Sequence, residues 1–132
     1  MMLVKVSFLR DEGDTVKMVT EDYLVKRETF GNTETTLYDN LPNDNLVIKS
    51  IKRENIDDVF IEDEDEVLNN NWFKAETKYQ DVIADKPLKH IAYVNAYNIT
   101  KANDTLKESL KDLYHTFEIV SLKLTKVLEI IE

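Results

Sequence analysis

Thr105–Ile131, TLKESLKDLYHTFEIVSLKLTKVLEII, is the stretch on which the fold turns. Its apolar residues Leu106, Leu110, Leu113, Phe117, Val120, Leu124, Val127 and Ile131 recur at intervals of 4-3-4-3-4-3-4. That is the heptad spacing that keeps one face of a helix apolar. Thr105 with Glu108 three residues on forms a capping-box signature at its start. The pattern predicts one long helix over residues 104–131. Val120, Leu122 and Leu124 also alternate, which is a strand pattern over Ile119–Val127, but the cap and the seam favour the helix.

A helix of that length has consequences for assembly. At about 1.5 Å per residue it would run about 42 Å, longer than the roughly 34 Å width expected for the rest of the chain. Ile119, Leu122, Leu128 and Ile130 add apolar surface off the seam. The seam residues are therefore candidates for self-association, giving a homo-oligomer. The alternatives are a helix that bends near Ser121 and is wrapped by its own chain, or a groove that docks another protein.

Upstream, the first half reads as strands. Val4, Val6 and Phe8 alternate with Lys5 and Ser7, and Arg10–Asp14, around Gly13, supplies a turn before Val16–Val19, so a hairpin is expected. Residues 23–30 and 33–38, separated by Gly31-Asn32, suggest a second hairpin. Leu41–Asn45 reads as a breaker, Leu46–Ile51 as the next strand, and Val59–Ile61 as a short one. Residues 67–83 carry Val67, Leu68, Trp72, Ala75, Tyr79, Val82 and Ile83 near helical spacing and are expected to be helical, although Trp72–Thr77 also suits a strand. Asp85–Pro87 ends that element, and His90–Ile99 reads as a strand covered on both faces. The expected fold is α+β over a single domain, residues 1–132. An antiparallel meander (1–61) leads to an acidic loop (62–66), a mixed segment (67–103) and the long C-terminal helix (104–131).

Charge is concentrated in one place. Glu54–Glu66 holds eight carboxylates and neither Lys nor Arg, so it carries −8 of the formal −9. With the remaining cations dispersed, direct nucleic-acid binding is not expected. The longest uncharged run, Ile91–Thr100, is ten residues, about half of a membrane span, so no membrane partner is expected. The N-terminal residues lack a secretory pattern, and the chain has no cysteine. Those two features place the protein in the cytoplasm and exclude thiolate chemistry and Cys-ligated metals. A composition rich in Asn, Asp, Lys and Ile suits AT-rich bacterial or phage coding.

The same charges bear on function. Starting an EF-hand loop at Asp63 puts Val67, Leu68 and Lys74 where an oxygen ligand, a glycine and the closing Glu belong, so a calcium site fails. His90 and His115 are too few and too far apart for a metal centre and read as surface or rim residues. No nucleophile or oxyanion donor accompanies Asp57-Asp58, so the protein is not expected to be an enzyme, and no cofactor is expected. A fixed row of carboxylates can instead compete with phosphates for Lys and Arg. The leading expectation is a small acidic, phage-encoded inhibitor that engages a basic host protein such as a nuclease. Its binding residues would be Asp57, Asp58, Glu62, Asp63, Glu64, Asp65 and Glu66, with Trp72 as an aromatic anchor and the host cytoplasm as its location. The alternatives are an assembly module built on the heptad helix, or a small-nucleotide binder with an intersubunit pocket, for which Tyr93 and Tyr97 could stack a base.

Overall fold

The computed structural model describes residues 1–41, 45–81, 83 and 85–132. Among these it forms β1 (Met2–Glu12), β2 (Thr15–Val25), α1 (Phe30–Asn40), β3 (Val47–Arg53), β4 (Asp58–Ile61), a 3-10 turn (Glu64–Glu66), β5 (Asn71–Asp81), β6 (Lys86–Ala96), α2 (Ile99–Leu113), β7 (Phe117–Leu124) and β8 (Val127–Ile131). The chain groups into two compact units, Met1–Glu54 with Lys126–Glu132, and Asn55–Thr125. Each holds a four-stranded sheet, ordered β3-β1-β2-β8 in the first and β4-β6-β5-β7 in the second.

In the first unit, β1 and β2 pair antiparallel along their whole length, from Met2 against Val25 to Glu12 against Thr15. The turn between them needs Gly13, whose φ of 73° lies in the left-handed region that glycine enters at little cost. This hairpin was expected, and both strands run longer than the alternation suggested. Val4 and Val6 meet Tyr23 and Val25 in an apolar core with Met2, Leu37, Leu46 and Ile131. The hairpin expected about Gly31-Asn32 is instead α1. Thr29 caps it, its hydroxyl accepting from the Asn32 N–H at 3.1 Å. Thr33, Thr35 and Thr36 donate their hydroxyls to carbonyls four residues back, so β-branched residues that suggested a strand are absorbed along the helix. Thr33, Thr36 and Leu37 form its buried stripe.

In the second unit, the segment 67–83 expected as helix is largely the strand β5. Phe73, Ala75, Thr77 and Tyr79 alternate with Trp72, Lys74, Glu76 and Lys78, and the strand is paired on both sides, by β6 and by β7. Val82 of the supposed helical spacing lies outside the described residues, as do Pro42–Asp44 of the expected breaker. β6 supplies the strand expected at 90–99 as far as Ala96, Ile99 opening α2 instead, and β4 lies parallel to it.

The long C-terminal helix does not form. The protein is mostly β, with two sheets and two short helices among the described residues, rather than a meander backed by a long helix. Asn98, not Thr105, is the N-cap, accepting from the Lys101 N–H at 2.9 Å. α2 buries Ala102, Leu106 and Leu110 and ends at Leu113, which is 50% exposed. The next residues, Tyr114, His115, Thr116 and Phe117, are aromatic or β-branched and poor at propagating a helix. The open edge of β5 takes the chain up as β7. The seam is thereby divided: Leu106, Leu110 and Leu113 stay on α2, Phe117, Val120 and Leu124 lie in β7, and Val127 and Ile131 lie in β8. Its 3-4 rhythm beyond Leu113 comes from strand alternation interrupted by a bulge, because Glu76 pairs with Ser121 but Thr77 with Ile119, leaving Val120 unpaired.

The topology repeats. Each run is a hairpin, a helix, a strand returning antiparallel to the first strand, and a short fourth strand: β1-β2-α1-β3-β4, then β5-β6-α2-β7-β8. The fourth strands are exchanged. β4 pairs parallel to β6 of the second run, and β8 pairs parallel to β2 of the first.

Candidate functional site: the acidic rim

The acidic segment begins on the edge strand β4. Asp57 clasps Ile91, donating its N–H to the Ile91 carbonyl and accepting the Ile91 N–H at Oδ2, both at 2.8 Å. Asp58 Oδ2 meets His90 Nε2 at 2.8 Å. Where β4 ends, the Glu62 N–H donates to the Asn95 carbonyl, and the Glu62 carboxylate accepts the Tyr97 N–H at 3.0 Å. Asp63 caps the 3-10 turn by accepting from the Asp65 N–H at 3.0 Å. Glu66 accepts from the Asn69 side-chain amide at 3.1 Å, and the Asn95 amide donates to the Val67 carbonyl at 3.0 Å.

The seven carboxylates from Asp57 to Glu66 therefore divide by role. Asp57 and Asp58, expected to face a partner, are fasteners that hold β4 on β6. Glu62, Asp63 and Glu66 fix the turn with one oxygen each, while their residues remain exposed. Glu64 and Asp65 stand at the apex, exposed. Among the described residues no carboxylate from Glu62 to Glu66 lies in an ion pair. The rim is a short row of negative charge on a pinned turn.

Trp72 does not belong to it. It is 2% exposed, so it cannot anchor an exposed interface. The apolar residue that does stand beside the rim is Leu68, 76% exposed. Its only signal in the sequence is an apolar side chain two residues beyond the last carboxylate. Tyr93 and Tyr97 form no joint platform, since Tyr93 is buried on β6 and Tyr97 is exposed past its end.

His90, expected at the surface, is buried between rings: Phe60 stacks on it at 6.2 Å and Tyr114 meets it edge-on at 5.6 Å. Tyr114 in turn stacks on Tyr79 at 4.0 Å. Burial, followed by the neighbouring Tyr79, pushes the Tyr114 phenol up to about 12. Thr77 lies directly opposite His90 in the β5/β6 register. Neither His90 Nδ1 nor the Thr77 hydroxyl has a hydrogen-bond partner among the described residues. Asp58, His90 and Thr77 have the composition of a catalytic triad, but Thr77 is wholly buried, and neither it nor His90 lines the clefts beside Glu62 and beside Lys78. A nucleophile needs an approach for substrate. The arrangement is a polar fastening within the core.

His115 sits in the α2–β7 connection, not on a helix face. Among the described residues no group of three or more His, Cys, Asp or Glu could hold a metal ion, and no helix is long and apolar enough to cross a membrane. A cleft of about 490 Å³ separates Glu62 from the α2 side chains Lys101, Asp104, Lys107, Glu108 and Lys111. Its mixed charges select no ligand.

The chain of this architecture belongs to a protein family. The model of that family, "Domain of unknown function (DUF4494)", matches residues 2–132, and the chain is a member of it. Neither a curated protein nor a solved structure matches it.

Proposed function

We propose that the protein is a binding module that uses the rim Glu62–Glu66 to occupy a basic surface on another protein, of the kind that otherwise binds nucleic-acid phosphates, as on a nuclease. One observation carries the reading: five successive exposed carboxylates on a hydrogen-bonded turn, none neutralised by an ion pair among the described residues. Charges held in place lose little entropy on binding, and a fixed acidic row presents a cationic groove with what a phosphate backbone would. Leu68, exposed beside the row, adds apolar contact. The absence of cysteine fits a reducing cytoplasm, that of the host if the chain is phage-encoded.

The test uses the full chain as bait for nucleic-acid-binding proteins, with duplex DNA as competitor. Duplex DNA should displace the captured protein, raised salt should weaken the complex, and Glu64→Gln with Asp65→Asn should weaken it at least tenfold. Those two side chains are the ones to change because the turn does not depend on them. Capture indifferent to DNA, salt and the substitutions would overturn the proposal.

A further inference from the structure

β7 is the terminal strand of its sheet, so on its outer side no described strand meets its backbone N–H and C=O groups. Edge strands are commonly blunted by charge. β3, which occupies the same place in the first unit, follows that rule with Lys49, Lys52 and Arg53, a row that would repel a copy of itself. β7 does not follow it. It exposes Val120 (45%) and Leu124 (63%), and its two charges, Glu118 and Lys123, are opposite in sign.

The positions of those charges identify what fits the edge. In a regular strand, residues five apart point to opposite faces. The bulge at Val120 removes that difference, because the register places Glu118 against Lys78 and Lys123 against Lys74, both on one face of β5. Phe117, Ile119, Leu122 and Leu124 share the other face, opposite Tyr79, Thr77, Ala75 and Phe73. Now let a second copy of β7 run antiparallel alongside, about a two-fold axis perpendicular to the sheet and passing between Val120 and Ser121. Glu118 then stands opposite the partner's Lys123 and Lys123 opposite the partner's Glu118. Phe117 meets the partner's Leu124, and Ile119 meets the partner's Leu122. Apart from Val120 and the partner's Ser121 at the axis, every opposed pair is either apolar with apolar or acidic with basic and shares a face, as direct cross-strand neighbours must.

We infer that β7 is a self-complementary edge through which two copies of this chain pair, joining their second-unit sheets into one eight-stranded sheet with an isologous interface. This does not depend on the acidic rim.

Native mass by light scattering on the full chain tests it. The wild-type chain should show a concentration-dependent dimer. Glu118→Lys sets like charges opposite each other twice per interface, and so does Lys123→Glu. Each should weaken the dimer by about tenfold or more. An equimolar mixture of the two single variants should form a heterodimer, because every charged pair is then opposite in sign. Where a charge variant fails to fold, Glu118→Cys mixed with Lys123→Cys serves instead, since the chain has no cysteine of its own. On mild oxidation that mixture should give a disulfide-linked heterodimer, with little covalent dimer from either variant alone. A wild-type chain that stays monomeric at its highest soluble concentration would overturn the inference. So would a dimer that neither charge variant weakens, or a cysteine mixture that links no better than its components.

Discussion

The two exchanged strands hold their places by different chemistry. β8 joins β2 by burying Val127 and Ile131, 6% and 5% exposed, and the ion pair at its end, Lys26 with Glu132 at 2.7 Å, is exposed to water. β4 has no fully buried apolar side chain. It is fastened to β6 by the Asp57 clasp on Ile91 and the Asp58–His90 pair, and the Glu62 contacts with Asn95 and Tyr97 secure the chain just beyond it. Apolar burial is non-directional, whereas each of these side-chain hydrogen bonds adds a fixed partner to the backbone pairing that both strands have. The strand that leads into the acidic turn is the one to whose backbone pairing carboxylate hydrogen bonds are added. That suits the binding role proposed for the rim.

Substitution can break either attachment, and the effects should fall in order. The largest is expected from Ile131→Ala, which leaves a cavity under β8 and should cost about 2–5 kcal/mol, read as a lowered midpoint in urea denaturation. Next is Asp58→Ala. It strands the buried His90 Nε2–H without its acceptor and should cost about 1–3 kcal/mol, and amide exchange at Val59–Ile61 should quicken more than exchange in β8. If Asp58→Ala proved the milder change by far and left β4 exchange untouched, the contrast between the two strands would be lost.

The smallest effect is expected in alkali, and it sharpens the comparison because each unit holds a tyrosine that resists ionisation. Tyr23 donates to Glu21, and burial with that carboxylate beside it raises its pKa. The Tyr114 phenol is pushed up to about 12 by burial and by Tyr79. An unfolded tyrosine loses its proton near pH 10. Above that pH the folded chain therefore binds more protons than the unfolded chain, and stability present below about pH 10 falls as pH rises. Tyr23→Phe and Tyr114→Phe should each flatten this fall in urea midpoints between about pH 9 and about pH 11. A slope unchanged by both would show that neither phenol is held in its neutral form.

Much of the local structure could be read from single residues. Gly13 marked the first hairpin, the alternation at Val4–Phe8 was a strand as read, and the strand read at His90–Ile99 holds as far as Ala96. The acidic segment was found as a charge block. Its division into fasteners and free charges was not, because that depends on Ile91, His90, Asn95 and Tyr97, residues some thirty positions away. The repeat also left no mark in the residues. Only strand order and pairing show that two runs of hairpin, helix and returning strand follow one another with their last strands exchanged.

The sequence by itself determined where the charge lies, that cysteine chemistry is absent, and which segments alternate. Tertiary structure decided the rest, and the seam from Leu106 to Ile131 shows why. A spacing of 3 and 4 satisfies a helix, but it also satisfies a short helix followed by bulged strands. The choice rests on partners that local spacing does not encode: an open edge on β5 and another on β2, each able to take up backbone hydrogen bonds that a longer helix would have satisfied within itself.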